Sequence, residues 1–180
     1  SIDAIPLVWY RMLLASGFIF MFVKFRKENL LFPIKILAGF FFAGFIIALH
    51  WITFFMAIKA SNVSITLAVM STGALFASFI EPIFYKRKVV WYEVLFGSLA
   101  VVGLYIIFKV EVQYFSGILL ALCSAFLVAL FSVINGKFAL KYKASVISFY
   151  EILFGMLCVS IYLAFNGSFK ASFFYLTIRD

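Results

Sequence analysis

The feature that most constrains this chain is a series of long apolar runs separated by short polar connections. A helix needs about 20 residues to cross a bilayer. Six runs reach that length, at 4–23, 36–58, 63–85, 89–108, 115–134 and 146–165. They are apolar on nearly every face, whereas a membrane barrel alternates apolar and polar residues along each strand. A soluble core does not account for them either. The chain is 67% apolar and 12% charged, against about 45–50% and about 25% in soluble domains. The expected fold is all-α, a polytopic transmembrane helix bundle with six visible spans. Short connections make successive helices antiparallel neighbours.

Charge placement orients the bundle. The net charge of +8 comes mostly from clusters between spans, which suits membrane topology rather than nucleic-acid binding. Lys24, Arg26, Lys27 and Lys35 fall in the first loop, Lys86, Arg87 and Lys88 in the third, and Lys137, Lys141 and Lys143 in the fifth. The intervening loops carry only Lys59 and Lys109, the latter offset by Glu111. Ten basic residues against two place the basic loops in the cytoplasm of a multi-pass cell-membrane protein, inner or plasma. Ser1 then starts outside with no visible signal peptide, and the tail Ser168–Asp180 reads as an outer loop leading to a further span. Truncation at both ends is the expectation. Cys123 and Cys158 lie inside apolar runs and read as packing residues. The sequons at Asn62 and Asn166 carry little weight.

Repetition adds a weak internal signal. Ile5 to Leu13 aligns with Ser145 to Leu153, matching Tyr10 with Tyr150 and Arg11 with Glu151. Five spans separate the copies, and an odd number inverts the second, as in many secondary transporters.

The residues resemble the EamA-type branch of the drug/metabolite transporter superfamily. The resemblance rests on Trp9-Tyr10-Arg11-Met12-Leu13-Leu14-Ala15, on Phe54-Phe55-Met56-Ala57-Ile58-Lys59-Ala60-Ser61-Asn62-Val63, and on Gly97 and Gly103. It implies two inverted repeats of five helices with both termini inside. Residues 1–110 would be most of the first repeat, lacking its first helix, and residues 111–180 the start of the second, with the last three helices missing. Gly73 stands where members often carry a proline, and Lys86-Arg87-Lys88 replaces a common Gly-Glu pair. Substrate class therefore does not carry over.

An ionisable residue at mid-depth costs about 2.5–3.5 kcal/mol on insertion scales, so each is a candidate for function. Glu81 shares a helical face with Ser64, Ser71 and Ser78, joined by Ala74, a stripe suited to lining a cavity. Pro82 removes a backbone donor beside it and is expected to open the helix there. Glu81 reads as a substrate-amine or proton site, and the competing account is an ion pair with the Lys86 cluster. Arg11 is a candidate for a substrate carboxylate or a carboxylate on another helix, or else bonds helix-end carbonyls. Glu151 is a candidate gate partner for a cytoplasmic lysine, or an interfacial structural glutamate. His50 more often satisfies neighbouring backbone or hydroxyl groups than binds a ligand. Trp51 is deep enough to line a cavity. No metal set exists, because His50 has no second histidine and the cysteines lie on different helices. No cofactor is expected.

These features favour a secondary transporter that moves a small metabolite or drug-like solute by alternating access as an exporter, with proton or ion coupling open. No nucleotide-binding loop is encoded. The alternatives are an intramembrane enzyme, which would need a nucleophile–base pair or metal cluster not found here, and a channel or structural scaffold.

Overall fold

The computed structural model describes residues 4–110 and 112–165. Ser1, Glu111, Asn166 and the tail from Ser168 lie outside the described residues. The elements are α1 (Ala4–Phe25), α2 (Ile34–Ala60), α3 (Val63–Met70), α4 (Gly73–Tyr85), α5 (Trp91–Val110), α6 (Phe115–Ala139) and α7 (Ala144–Phe165), with one 3₁₀ turn before α6. The chain is a polytopic helical bundle. Stretches long and apolar enough to cross a bilayer are Ile5–Phe25, Ile34–Ala60, Val63–Tyr85, Phe115–Ala139 and Ala144–Phe165. The run at 89–108 is α5, described as a shorter apolar helix over Trp91–Ile106. Helices are the natural solution here, since lipid offers no partner for an open backbone N–H or C=O.

Local chemistry sets the helix ends. At the end of α1, Lys27 N–H bonds Lys24 O at 3.0 Å and Glu28 N–H bonds Val23 O at 3.1 Å. These are the two bonds of a Schellman cap, which needs a left-handed residue between them. Lys27 supplies it at φ 51, although glycine would do so with less strain. Lys86 closes α4 in the same region, at φ 53. Asn62 starts α3 by accepting Ile65 N–H on its side-chain oxygen at 2.9 Å, the usual work of an N-cap.

The third span is not the continuous helix expected, and its break is not at Pro82. Pro82 lies inside α4, which runs on to Tyr85. The interruption comes at Ser71 and Thr72. Their N–H groups bond Ala68 O and Val69 O, three residues back rather than four. Each hydroxyl donates to the same carbonyl as its own N–H, at 2.7 Å. Hydroxyl groups that take over carbonyls in this way bend helices, and Gly73 follows immediately.

The chain divides into two compact units, with α2 contributing to each. Unit 1 contains α1, residues 34–48 of α2, and α7. Helices α1 and α7 run antiparallel. Trp9 donates to Ser160 Oγ at 2.7 Å at one end, Phe20 meets Phe149 at 5.5 Å, and Val23 packs with Val146 at the other end. Three buried rows at four-residue spacing meet here: Val8, Met12 and Ser16 on α1, Phe40, Gly44 and Ala48 on α2, and Ile147, Glu151, Gly155, Val159 and Leu163 on α7. Such rows are the ridges by which helices interlock.

Unit 2 holds residues 49–60 of α2 with α3, α4, α5 and α6. Its organising row is on α6: Gly117, Ala121, Ala125, Ala129 and Val133, again spaced by four and all buried. Small residues allow backbones to approach closely where apolar burial itself drives little association. A Cβ on Gly117 would lie 2.6 Å from Ser61 Cβ. Ala57, Ile65 and Val69 pack against Ile118 and Ala121 to form the core.

Candidate functional site

The candidate residues fall in different environments. In unit 1, Glu151 is the second member of the α7 row, 1% exposed, and its Oε1 has no hydrogen-bond partner among the described residues. Its surroundings are close-packed. A Cβ on Gly44 would strike the Glu151 carbonyl, and one on Gly155 would lie 2.8 Å from Gly44 O and 3.2 Å from Met12 Cε. The Ser16 hydroxyl of α1 donates to Leu13 O at 2.9 Å within its own helix and lies 3.9 Å from Met156 Sδ of α7. Glu151 is thus fully buried among the helices of its unit. Arg11 lies off the buried α1 row and is exposed.

One end of unit 1 is strapped shut. Glu28, in the α1–α2 loop, accepts a hydrogen bond from Ser145 Oγ and pairs with Lys143 Nζ at 3.5 Å. The Ser145 hydrogen bond, helped by Lys143, holds the Glu28 carboxyl below the usual carboxylate range although burial opposes it. Tyr150 donates its hydroxyl to Leu30 O. Phe32 packs edge-on against Phe40, Tyr142 and Tyr150, and Phe40 stacks on Tyr150 at 5.7 Å.

In unit 2, His50 is buried and bonded reciprocally to Ser124 of α6. Its Nδ1 is 3.0 Å from Ser124 O, and Ser124 Oγ donates to His50 O at 3.1 Å. A carbonyl only accepts, so Nδ1 carries the proton in the neutral ring. Two helices are clamped by each other's backbone. Trp51 is half-buried, stacked on Phe55 at 5.9 Å and tilted against His50 at 5.2 Å.

Glu81 belongs to a third setting. Arg87 bridges it at 2.7 Å and Glu93 at 2.8 Å, across the turn that Lys86 makes. The two carboxylates, Glu93 foremost, raise the Arg87 guanidinium above its usual value. Glu81 is partly exposed in this cluster. The expected stripe does not share one buried side. Ser64 and Ser71 are exposed and Ser78 is buried, with its hydroxyl turned to Leu75 O at 2.7 Å.

Sequence reasoning missed Ser124, Ser145 and Glu28. A serine in an apolar run gives no sign of which helix will face it. The four-residue spacing through Glu151 is present in the sequence, but Glu151 lies near the start of its span, where an interfacial position is the simpler expectation.

A bundle of lipid-spanning helices with a polar side chain locked inside it defines a multi-pass membrane protein built around more than packing. The EamA-like transporter family matches residues 1–109, and the chain belongs to that family. It is accordingly a membrane transporter of the drug/metabolite type, working on small molecules within a bilayer. A transporter family fits a role other than catalysis. No curated protein and no solved structure matches the chain.

Proposed function

We propose that the protein is a secondary transporter that exports a small metabolite or drug-like solute by alternating access, with its basic loops in the cytoplasm. The observation that carries this reading is the pairing of α1 with α7. These are the helices aligned by the faint repeat, and they pack side by side in opposite directions. An inverted pair rocking about a shared interface is a common basis of alternating access. In this scheme residues 1–110 make up most of one repeat and residues 111–180 begin the other. In unit 1 the reading assigns solute or proton handling to Glu151, with Arg11 a second candidate of that unit; in unit 2 it assigns Glu81 and Trp51 to solute contact, Ser71 and Ser78 to cavity lining, and His50 to their support.

The test is transport by the protein in proteoliposomes, using a panel of labelled amino acids, amines and other small metabolites. Saturable uptake with counterflow supports a carrier, and flux that rises without saturation indicates a channel. Topology is checked with single cysteines in a cysteine-free background and an impermeant thiol reagent. Labelling at Lys86–Lys88 from outside would overturn the orientation.

A further inference from the structure

We infer that Glu151 is a proton-binding site inside unit 1, occupied while α2 and α7 are packed together and emptied when they part. The geometry supports the site independently of the transport reading, while its use in coupling rests on that reading.

Three observations converge. Glu151 is 1% exposed within a buried row whose other members are Ile147, Gly155, Val159 and Leu163. Its Oε1 has no hydrogen-bond partner among the described residues. The charged and titratable groups around unit 1 are engaged or turned elsewhere. Arg11 of α1 is exposed, and Lys35 at the start of α2 is exposed. Lys24 lies over the Phe20 ring at 5.7 Å, and Lys143 pairs with Glu28. Tyr150 gives its proton to Leu30 O, and Cys158 is half-buried on the same helix.

An ionised carboxylate in that setting would hold an unneutralised charge out of water, and such groups neutralise instead. The available cation must be small. Gly44 and Gly155 bring α2 and α7 to backbone contact, where even an added methyl at Gly155 would sit 2.8 Å from Gly44 O. A solute ammonium does not fit against that face in this conformation; a proton does. The step is carboxylate plus proton giving carboxylic acid, with no other reactant. Parting the helices would admit water, restore the solvation of the anion and release the proton.

The experiment is infrared difference spectroscopy of the protein in lipid at neutral pH, with isotope-labelled glutamate to assign carboxyl bands. The expected result is a protonated-carboxyl band in the wild type that is missing in Glu151→Gln. If Glu151→Gln does not insert, Glu151→Asp serves as the second variant, and the band should shift rather than vanish. A neutral-pH spectrum with every glutamate ionised would overturn the site, and so would a band left unchanged in both variants. Transport in proteoliposomes is measured separately. Absence of any carrier activity with the band intact would sink the transporter reading alone. Intact carrier activity with no band would sink the proton site alone.

Discussion

Helices α6 and α7 carry the same device, a buried row of five residues spaced by four, and put it to different ends. In unit 2 the α6 row is Gly117, Ala121, Ala125, Ala129 and Val133. Its polar neighbour Ser124 is locked to His50 by reciprocal hydrogen bonds. In unit 1 the α7 row has Glu151 at its second position, and its Oε1 has no partner among the described residues. A satisfied polar pair in lipid fixes helix contacts. An unsatisfied carboxylate costs stability, and a sequence retains it where function needs it. On the proposed reading, unit 2's buried polar groups serve architecture and unit 1's serves transport.

The largest effects should come from the rows themselves, in both units alike. Gly155→Leu and Gly117→Leu each force a side chain into backbone contact, and overpacking of this kind costs about 1–3 kcal/mol or more. Both variants should accumulate poorly in the membrane and unfold at lower temperature. A harmless Gly155→Leu would mean that α2 and α7 do not meet as described.

Smaller effects should separate the units. Ser124→Ala removes the donor to His50 O and should cost about 0.6 kcal/mol, the average for such bonds between membrane helices. Thermal unfolding in detergent reads this directly. Glu151→Gln should cost nothing comparable, since it replaces a neutral acid by a neutral amide of similar shape.

The strap in the α1–α2 loop adds a pH-dependent contribution to unit 1. The Glu28 carboxyl is held below its ordinary value, so the unfolded chain binds its proton first as pH falls. Its stabilisation is present above the ordinary carboxylate range and is lost as pH drops through the lowered folded value. Unfolding midpoints from neutral to acid pH should show that decline, and Glu28→Gln and Ser145→Ala should flatten it. The smallest change is expected at Arg87→Ala, because its ion pairs are solvent-screened. Whatever loss appears in low salt should fade at high salt.

Much of this architecture is legible in the chain, and the exceptions have physical causes. Run length alone locates the spans, because lipid demands continuous apolar helices. The break at Ser71 and Thr72 is invisible in that signal, since short hydroxyl residues suit a helix interior until their side chains compete for its carbonyls. Glu81 looks inward when α4 is drawn as an ideal helix. The left-handed turn at Lys86 is what brings Arg87 back to it, and a lysine there gives no warning of the kind a glycine would. Glu151 reads as a candidate from its charge, but its burial is not legible, because that depends on Gly44 arriving from a helix more than a hundred residues away.

The most direct test of the division between units is a paired measurement on Glu151→Gln and Ser124→Ala, recording thermal stability and solute flux per inserted molecule on the same preparations. The account predicts that Glu151→Gln keeps its stability and loses its flux or the pH dependence of that flux. It predicts that Ser124→Ala loses stability and keeps its flux per folded molecule. Unchanged, normally pH-dependent flux in Glu151→Gln would contradict it.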